Sequence, residues 1–191
     1  MKSTFIVFLL FSGFTSSIFS QNIDLSVKSI SPELLINANS ILREEQITVS
    51  IEAVDKMTVT TKRVTTVLNK YGDYHVGATE WYDNDRKIKN IQAIIYNAAG
   101  KEIKKYKQKD FRDRSAVASG TLYSDNRVQY LDHTPQEYPY TIVYESEVRS
   151  GSTVFINPWD PVSGYFLSVE KSSYSFNNPG NIPFRIGEQN L

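Results

Sequence analysis

Apolar and polar residues alternate along much of the chain, which is the period of a β-strand with one buried face. Ile47, Val49 and Ile51, for example, alternate with polar neighbours. Between residues 97 and 100 the sequence Asn-Ala-Ala-Gly predicts a hairpin turn, because asparagine and glycine tolerate positive φ. The segments with strand-like sequences are 47–52, 58–69, 88–96, 102–106, 127–131, 140–148 and 167–176.

One short helix is predicted before the first strand. Ser31 is placed to cap its free N–H groups, Pro32 suits the first helical position, and the helix should end near Asn39. Residues 111–122 are less regular, and residues 182–186 look like the start of another strand beside an open sheet edge. We predict a mainly β fold, an antiparallel β-sandwich-like domain of about eight to ten strands with one short N-terminal helix.

The first twenty residues have the composition of a secretory signal peptide. Lys2 gives a positive start, an apolar run covers residues 5–14, and Ser20 is a small residue suited to cleavage. The alternative is an uncleaved membrane anchor, which the shortness of the run disfavours. We therefore predict a signal peptide at residues 1–20 and a single β-rich domain at 21–191, or the N-terminal portion of a longer protein. The protein should be exported, periplasmic or extracellular, with no membrane span after cleavage.

Composition narrows the possible functions. Basic and acidic residues are equal in number, at 21 each, so no overall charge would recruit nucleic acid. The chain has no cysteine, which excludes disulfides, a thiolate metal site, a cysteine nucleophile and a lipid-modified cysteine. The domain must therefore be stabilised by its apolar core alone, and its length is sufficient for that.

Catalytic chemistry finds little support in the sequence. The only histidines are His75 and His133. Asp132 is adjacent to His133, but neighbouring residues on a strand point to opposite faces and are poorly placed to bond each other. No Gly-x-Ser-x-Gly motif is present. We predict that this chain is not an enzyme, and that both histidines lie in the core or on the surface.

Charged clusters also have ordinary structural interpretations. Asp83-Asn84-Asp85 lacks the glycine and the final acidic residue of a calcium-binding loop, so a turn is favoured over a metal site. We predict no metal and no cofactor. The lysines of residues 101–109 are typical of an edge strand that must avoid pairing with other chains.

Three aromatic residues remain as candidate ligand contacts. Trp81 and Tyr82 precede the acidic turn, and Trp159 lies between two prolines. Aromatic rings on a β-sandwich can stack on sugar rings, which would make this a carbohydrate-binding module. The alternative is that the three rings cover the ends of the core, as large aromatic side chains often do.

Several short stretches are informative when they are taken together and in order. They are SPE and ANS at 31–33 and 38–40, VLNKYG at 67–72, IQA and YNAAGK at 91–93 and 96–101, LYSDNRV at 122–128 and YTIVYE at 140–145. Their order resembles a bacterial family, the β-rich domain of unknown function that precedes a transglutaminase-like domain in large exported proteins. The turn before residue 140 departs from that family's pattern, because Glu137-Tyr138-Pro139 stands where a Pro-Gly turn is expected.

The resemblance implies a non-catalytic accessory or interaction domain. The family's chemistry is expected on a Cys, a His and an Asp of the following papain-like domain, and none of those positions falls in this chain. The implied partner is a protein or peptide, or a covalently linked transglutaminase-like domain. A glycan remains the alternative partner.

Overall fold

The computed structural model describes residues 23–116, 125–185 and 187. The predicted signal peptide and the second half of the irregular segment 111–122, residues 117–122, lie outside these residues. Within these ranges there are ten strands and one α-helical turn, α1 (Pro32–Leu35). The strands are β1 (Ser40–Ala53), β2 (Lys56–Val67), β3 (Thr79–Tyr82), β4 (Arg86–Asn97), β5 (Glu102–Lys107), β6 (Arg112–Ser115), β7 (Arg127–Tyr130), β8 (Tyr140–Ser150), β9 (Leu167–Val169) and β10 (Ser172–Asn177).

The strands form two sheets, which confirms the mainly β fold. The large sheet has the order β10-β1-β2-β8-β4-β5, with β9 also pairing with β1, and the small sheet has the order β3-β7-β6. Most pairs are antiparallel, as predicted, but β9 and β10 both run parallel to β1. The predicted hairpin between β4 and β5 is confirmed, with Gly100 at a φ of 77°.

The small sheet covers one face of the large sheet and encloses the main core. On β8 this face carries Tyr140, Ile142 and Tyr144, all nearly inaccessible to solvent. Alternate residues of β4 join them, because side chains two apart share a face. The core comprises Val67, Ala78, Ile91, Ala93, Ile95, Tyr106, Phe111, Tyr140, Ile142 and Tyr144.

The N-terminal segment covers part of the opposite face. Thr66 and Thr141 are fully buried there and bond each other at 2.8 Å. The Arg43 side chain is also buried, and its guanidinium donates to the carbonyl of Ser26 at 3.2 Å and to the hydroxyl of Ser29 at 3.0 Å. Thr66, Thr141 and Arg43 therefore each have a hydrogen-bond partner, which removes most of the cost of burying these three side chains.

Tyr71, Gly72 and Asp73 form part of a 3₁₀ helix, Lys70–His75. Asn69 caps it, accepting the backbone N–H of Tyr71 at 3.0 Å. Gly72 lies directly against the backbone carbonyl of Asn39, where any β-carbon would collide. A glycine is therefore required for this helix to pack against the start of β1.

Several local predictions were wrong. Helix α1 is a single turn, and the Ser31 hydroxyl donates to the Glu33 carboxylate at 2.7 Å instead of capping the helix. The single strand predicted over residues 167–176 is two strands, β9 and β10, separated by Glu170 and Lys171. Residues 182–185 are not a strand, and Ile186 lies outside the described residues.

The two edges of the large sheet are β5 and β10. The lysine-rich segment does form an edge strand, as predicted, with Lys104, Lys105 and Lys107 all exposed on β5. Charged side chains at such an edge oppose pairing with a second chain. No helix in the described ranges is long and apolar enough to cross a membrane.

Candidate functional site

A long loop with many exposed apolar side chains connects β8 to β9. We call residues 151–166 the apolar loop. Phe155 is 84% exposed and Tyr165 is 88% exposed, although large apolar side chains usually lie inside. The exposed large apolar residues of the apolar loop are Val154, Phe155, Ile156, Trp159, Val162, Tyr165 and Phe166.

Hydrogen bonds attach the apolar loop to the β1–β2 turn, to β10 and to the 3₁₀ helix Lys70–His75. The Thr153 hydroxyl donates to the carbonyl of Val54 at 2.9 Å, and the Tyr174 hydroxyl donates to the carbonyl of Asn157 at 3.0 Å. Near the far end the Tyr74 hydroxyl donates to the carbonyl of Tyr165 at 3.2 Å. These three hydrogen bonds hold the backbone of the apolar loop against the domain, while the large apolar side chains of the loop face solvent.

Trp159 lies beside the β10 edge. Its indole N–H donates to the hydroxyl of Ser172 at 3.0 Å, and that hydroxyl donates to the Glu45 carboxylate at 2.8 Å. The indole also lies 6.4 Å from the ring of Tyr174, at an interplanar angle of 33°. Since the side chain is 48% exposed, Trp159 offers part of its surface to a ligand while its N–H is already bonded.

Trp81 and Tyr82 lie elsewhere, on β3 of the small sheet. Trp81 is 55% exposed. The Tyr82 hydroxyl donates to the Asp113 carboxylate and accepts from the guanidinium of Arg127 at 2.9 Å. The hydrogen bond to Asp113 raises the pKa of Tyr82. The Tyr82 hydroxyl is therefore committed to bonds within the small sheet, and the structure does not bring these two residues together with Trp159.

The acidic segment before β4 is a turn, as predicted. One carboxylate oxygen of Asp83 accepts the backbone N–H groups of Asp85 and Arg86, each at 2.7 Å. The N–H of Asn84 donates to Asp125 at 3.1 Å. The described residues contain no group of three or more His, Cys, Asp or Glu side chains that could hold a metal ion.

Each histidine makes a structural hydrogen bond. The imidazole of His75 bonds the carbonyl of Tyr165 at 3.1 Å, and Nδ1 of His133 bonds the hydroxyl of Tyr106 at 2.9 Å. Asp132, the residue adjacent to His133, pairs with Arg112 at 2.7 Å. Burial lowers the pKa of both histidines, so the neutral ring is favoured and Nδ1 of His133 can accept from Tyr106.

Stability should depend on pH through these histidines. A histidine with a lowered folded-state pKa binds fewer protons when folded than when unfolded, so unfolding becomes more favourable as the pH falls below about 6.5. We expect Tm to fall between pH 7 and pH 5, and to fall less in His133→Gln, which cannot take up a proton. Thermal denaturation at several pH values measures this. If Tm changed equally with pH in the unmodified protein and in His133→Gln, this prediction would be wrong.

His133 also lines a cleft of about 540 Å³ beside β5. The ring of Tyr138 forms another wall, and its hydroxyl donates to the Asp73 carboxylate at 2.5 Å. The Tyr140 hydroxyl donates to the same carboxylate at 2.9 Å, and burial strongly raises the pKa of Tyr140. The peptide bond between Tyr138 and Pro139 is cis.

The sequence identified Trp159 as a candidate ligand contact. It did not identify the other exposed residues of the apolar loop, or Tyr138 and Tyr140, whose hydroxyls both donate to Asp73. The run Val154-Phe155-Ile156, enclosed by Gly151 and Pro158, was the available signal. In a sequence, however, a run of three apolar residues is typical of a buried strand. Its exposure depends on tertiary structure.

Comparison with known proteins gives two results. The fold matches part of a solved structure described as "a putative protease from Parabacteroides distasonis ATCC 8503", with a TM-score of 0.60 and 11% sequence identity. The match covers 76% of this chain and 30% of that one, so the chain spans less than a third of that protein. No curated protein matches the sequence.

A family model matches residues 53–191, and its description is a domain of unknown function with a solved structure, DUF3857. The resemblance to a domain of unknown function is thereby confirmed, while its association with a transglutaminase-like domain stays a prediction. Because the matched residues make up well over half of the sequence, this chain belongs to the DUF3857 family of domains of unknown function.

Proposed function

We propose that this chain is a non-catalytic accessory domain of an exported protein, and that it docks onto a papain-like transglutaminase or peptidase domain through the apolar loop. The observation that carries this proposal is the exposure of so many large apolar side chains on one connection. Large exposed apolar side chains gathered on one connection, rather than scattered singly over the surface, are typical of an interaction site.

Two further observations support the accessory role. Both histidines make hydrogen bonds that hold the fold together, and the carboxylate nearest to His133 in sequence is paired with Arg112. The likeness to 30% of a longer protein described as a protease agrees with a domain that accompanies catalytic machinery. Export rests on residues 1–20 alone, and sequencing the N-terminus of the mature protein would test it.

The docking can be tested with two substitutions. The coding sequence beyond Leu191 would be read for a domain carrying Cys, His and Asp, and that domain expressed separately. We expect it to bind this chain, and Phe155→Asp with Tyr165→Asp to weaken binding by about tenfold or more, since both changes place a charge in an apolar interface. Isothermal titration calorimetry measures the affinity.

Ile103→Asp provides the matched control. Ile103 is 57% exposed on β5, at the opposite edge of the large sheet, so the same charge there should leave the affinity unchanged. If Ile103→Asp lost as much affinity as Phe155→Asp with Tyr165→Asp, the apolar loop would not be the interface. Absence of any catalytic domain, or peptidase activity of this chain alone, would remove the accessory role.

A carbohydrate-binding module is the second candidate. It is favoured by the half-exposed indoles of Trp81 and Trp159, which could each stack on a sugar ring. Trp81 lies on β3 of the small sheet and Trp159 lies on the apolar loop beside β10, so one short glycan would not use both. A glycan array with Trp81→Ala and Trp159→Ala distinguishes the two functions, because only the carbohydrate module predicts binding that these variants lose.

A further inference from the structure

The two edge strands of the large sheet differ sharply in charge. β5 carries Lys104, Lys105 and Lys107, whereas the β10 sequence Ser-Ser-Tyr-Ser-Phe-Asn has no charged residue. Natural proteins protect open edges with lysine, proline or a covering segment, because an unprotected edge pairs with other strands. β10 has no proline either, and in the described part of the chain it pairs only with β1. The edge at β10 is thus of the kind that accepts a further strand.

The backbone of β10 has groups that point away from the sheet. The N–H of Glu45 donates to the carbonyl of Lys171 at 3.0 Å, so the backbone groups of Lys171 face β1. Backbone groups alternate in direction along a strand. Ser172, Tyr174 and Phe176 therefore direct their N–H and C=O groups outward, where an added strand would meet them.

Aromatic side chains line one face beside this edge. Tyr174 and Phe176 lie two residues apart and so share that face. Trp159 lies against Tyr174, and Phe184 lies against Phe176 with ring centroids 5.2 Å apart. Phe184 is 53% exposed and Phe176 is 38% exposed. Together they form an uncharged apolar wall next to free backbone hydrogen-bonding groups.

We propose that the free edge of β10 binds an extended, uncharged peptide segment by strand addition. The peptide backbone would bond the outward groups of Ser172, Tyr174 and Phe176, and every second peptide side chain, preferably apolar, would pack on the aromatic wall. Strand addition takes its affinity from the backbone and its selectivity from alternate side chains, which suits peptides of varied sequence. The choice of a peptide rests on the proposed function, in which the neighbouring catalytic domain acts on polypeptides.

Amide hydrogen exchange followed by NMR tests the proposal directly. In the free protein we expect the outward amides of Tyr174 and Phe176 to exchange rapidly, and the amides of Ser173 and Ser175, which face β1, to be protected. The probe is an acetylated, amidated peptide of alternating valine and threonine. At saturation it should slow exchange at Tyr174 and Phe176 by about tenfold or more, because these groups become hydrogen-bonded.

Two controls separate strand addition from non-specific adsorption. The same peptide with alternate amides N-methylated cannot form the ladder and should give no protection. Ser175→Lys charges the edge as β5 is charged, on a side chain that is exposed, and should reduce peptide affinity by about tenfold. Ile103→Lys adds the same charge at the opposite edge and should leave the affinity unchanged.

Three results would overturn the proposal. The first is unchanged exchange at Tyr174 and Phe176 with millimolar peptide. The second is protection that appears without peptide and grows with protein concentration, which would identify a second copy as the occupant. The third is protection of these amides in the free monomer, which would show that the chain covers its own edge. None of these results bears on docking through Phe155 and Tyr165, so the proposed function would fail or survive separately.

Discussion

Ile142→Ala is expected to lower the free energy of unfolding by about 2–5 kcal/mol. Ile142 is 1% exposed and lies on β8, the strand between β2 and β4 in the large sheet. It is opposite Thr65 on one side and Ile95 on the other, and it faces the small sheet. Truncation removes apolar contacts and leaves a cavity that the surrounding strands cannot close. Urea denaturation measures the change.

Ile36→Ala is the matched control for this prediction. Ile36 has the same side chain but is 67% exposed, so its truncation should change stability by no more than about 0.5 kcal/mol. A similar loss in the two variants would mean that burial on β8 does not determine the stability of the domain.

The long strands were predictable because each has one buried face. On β8, Tyr140, Ile142 and Tyr144 alternate with side chains of the other face, and the sequence shows that period directly. The hairpin between β4 and β5 was predictable for another reason. Asn97 accepts two backbone N–H groups of the turn, at 3.0 and 3.1 Å, and Gly100 adopts positive φ. Local chemistry and the hydrophobic period agree in these segments.

The small sheet was only partly predictable. β7 was expected, but β3 has four residues and β6 has four exposed, largely charged residues, so neither shows the alternation of a half-buried strand. These strands exist because they pair with β7 and cover the large sheet. The parallel pairing of β10 with β1 was likewise not predictable, since it depends on the path of residues 151–166 between β8 and β9.

The candidate site residues were likewise only partly predictable from the sequence. Trp159 was selected as a large aromatic residue between prolines, and the structure places it half-exposed beside β10. Phe155 and Tyr165 were not selected, because an apolar side chain in a sequence is normally assigned to the core. The charge difference between β5 and β10 is visible in the sequence, but its meaning required knowing that both are edge strands.

Glu80→Ala is expected to destabilise the domain by about 3 kcal/mol, because the Glu80 carboxylate joins the two sheets. Glu80 lies on β3, and its carboxylate accepts the Ser146 hydroxyl at 2.6 Å and the Tyr144 hydroxyl at 3.2 Å. It also pairs with Arg86 at 3.4 Å. Burial and then the charge of Glu80 raise the pKa of Tyr144, so its hydroxyl stays protonated and needs an acceptor. Chemical denaturation measures the loss.

Two further variants identify the cause of that loss. Glu80→Gln keeps the volume and an acceptor oxygen but removes the charge that faces Arg86, so we expect a smaller loss of about 1 kcal/mol. Glu137→Ala removes an exposed carboxylate and should have almost no effect. If Glu80→Ala were as mild as Glu137→Ala, the small sheet would be held by apolar contacts alone. If it is as severe as expected, the position of β3, and of Trp81 and Tyr82 with it, depends on one partly buried carboxylate.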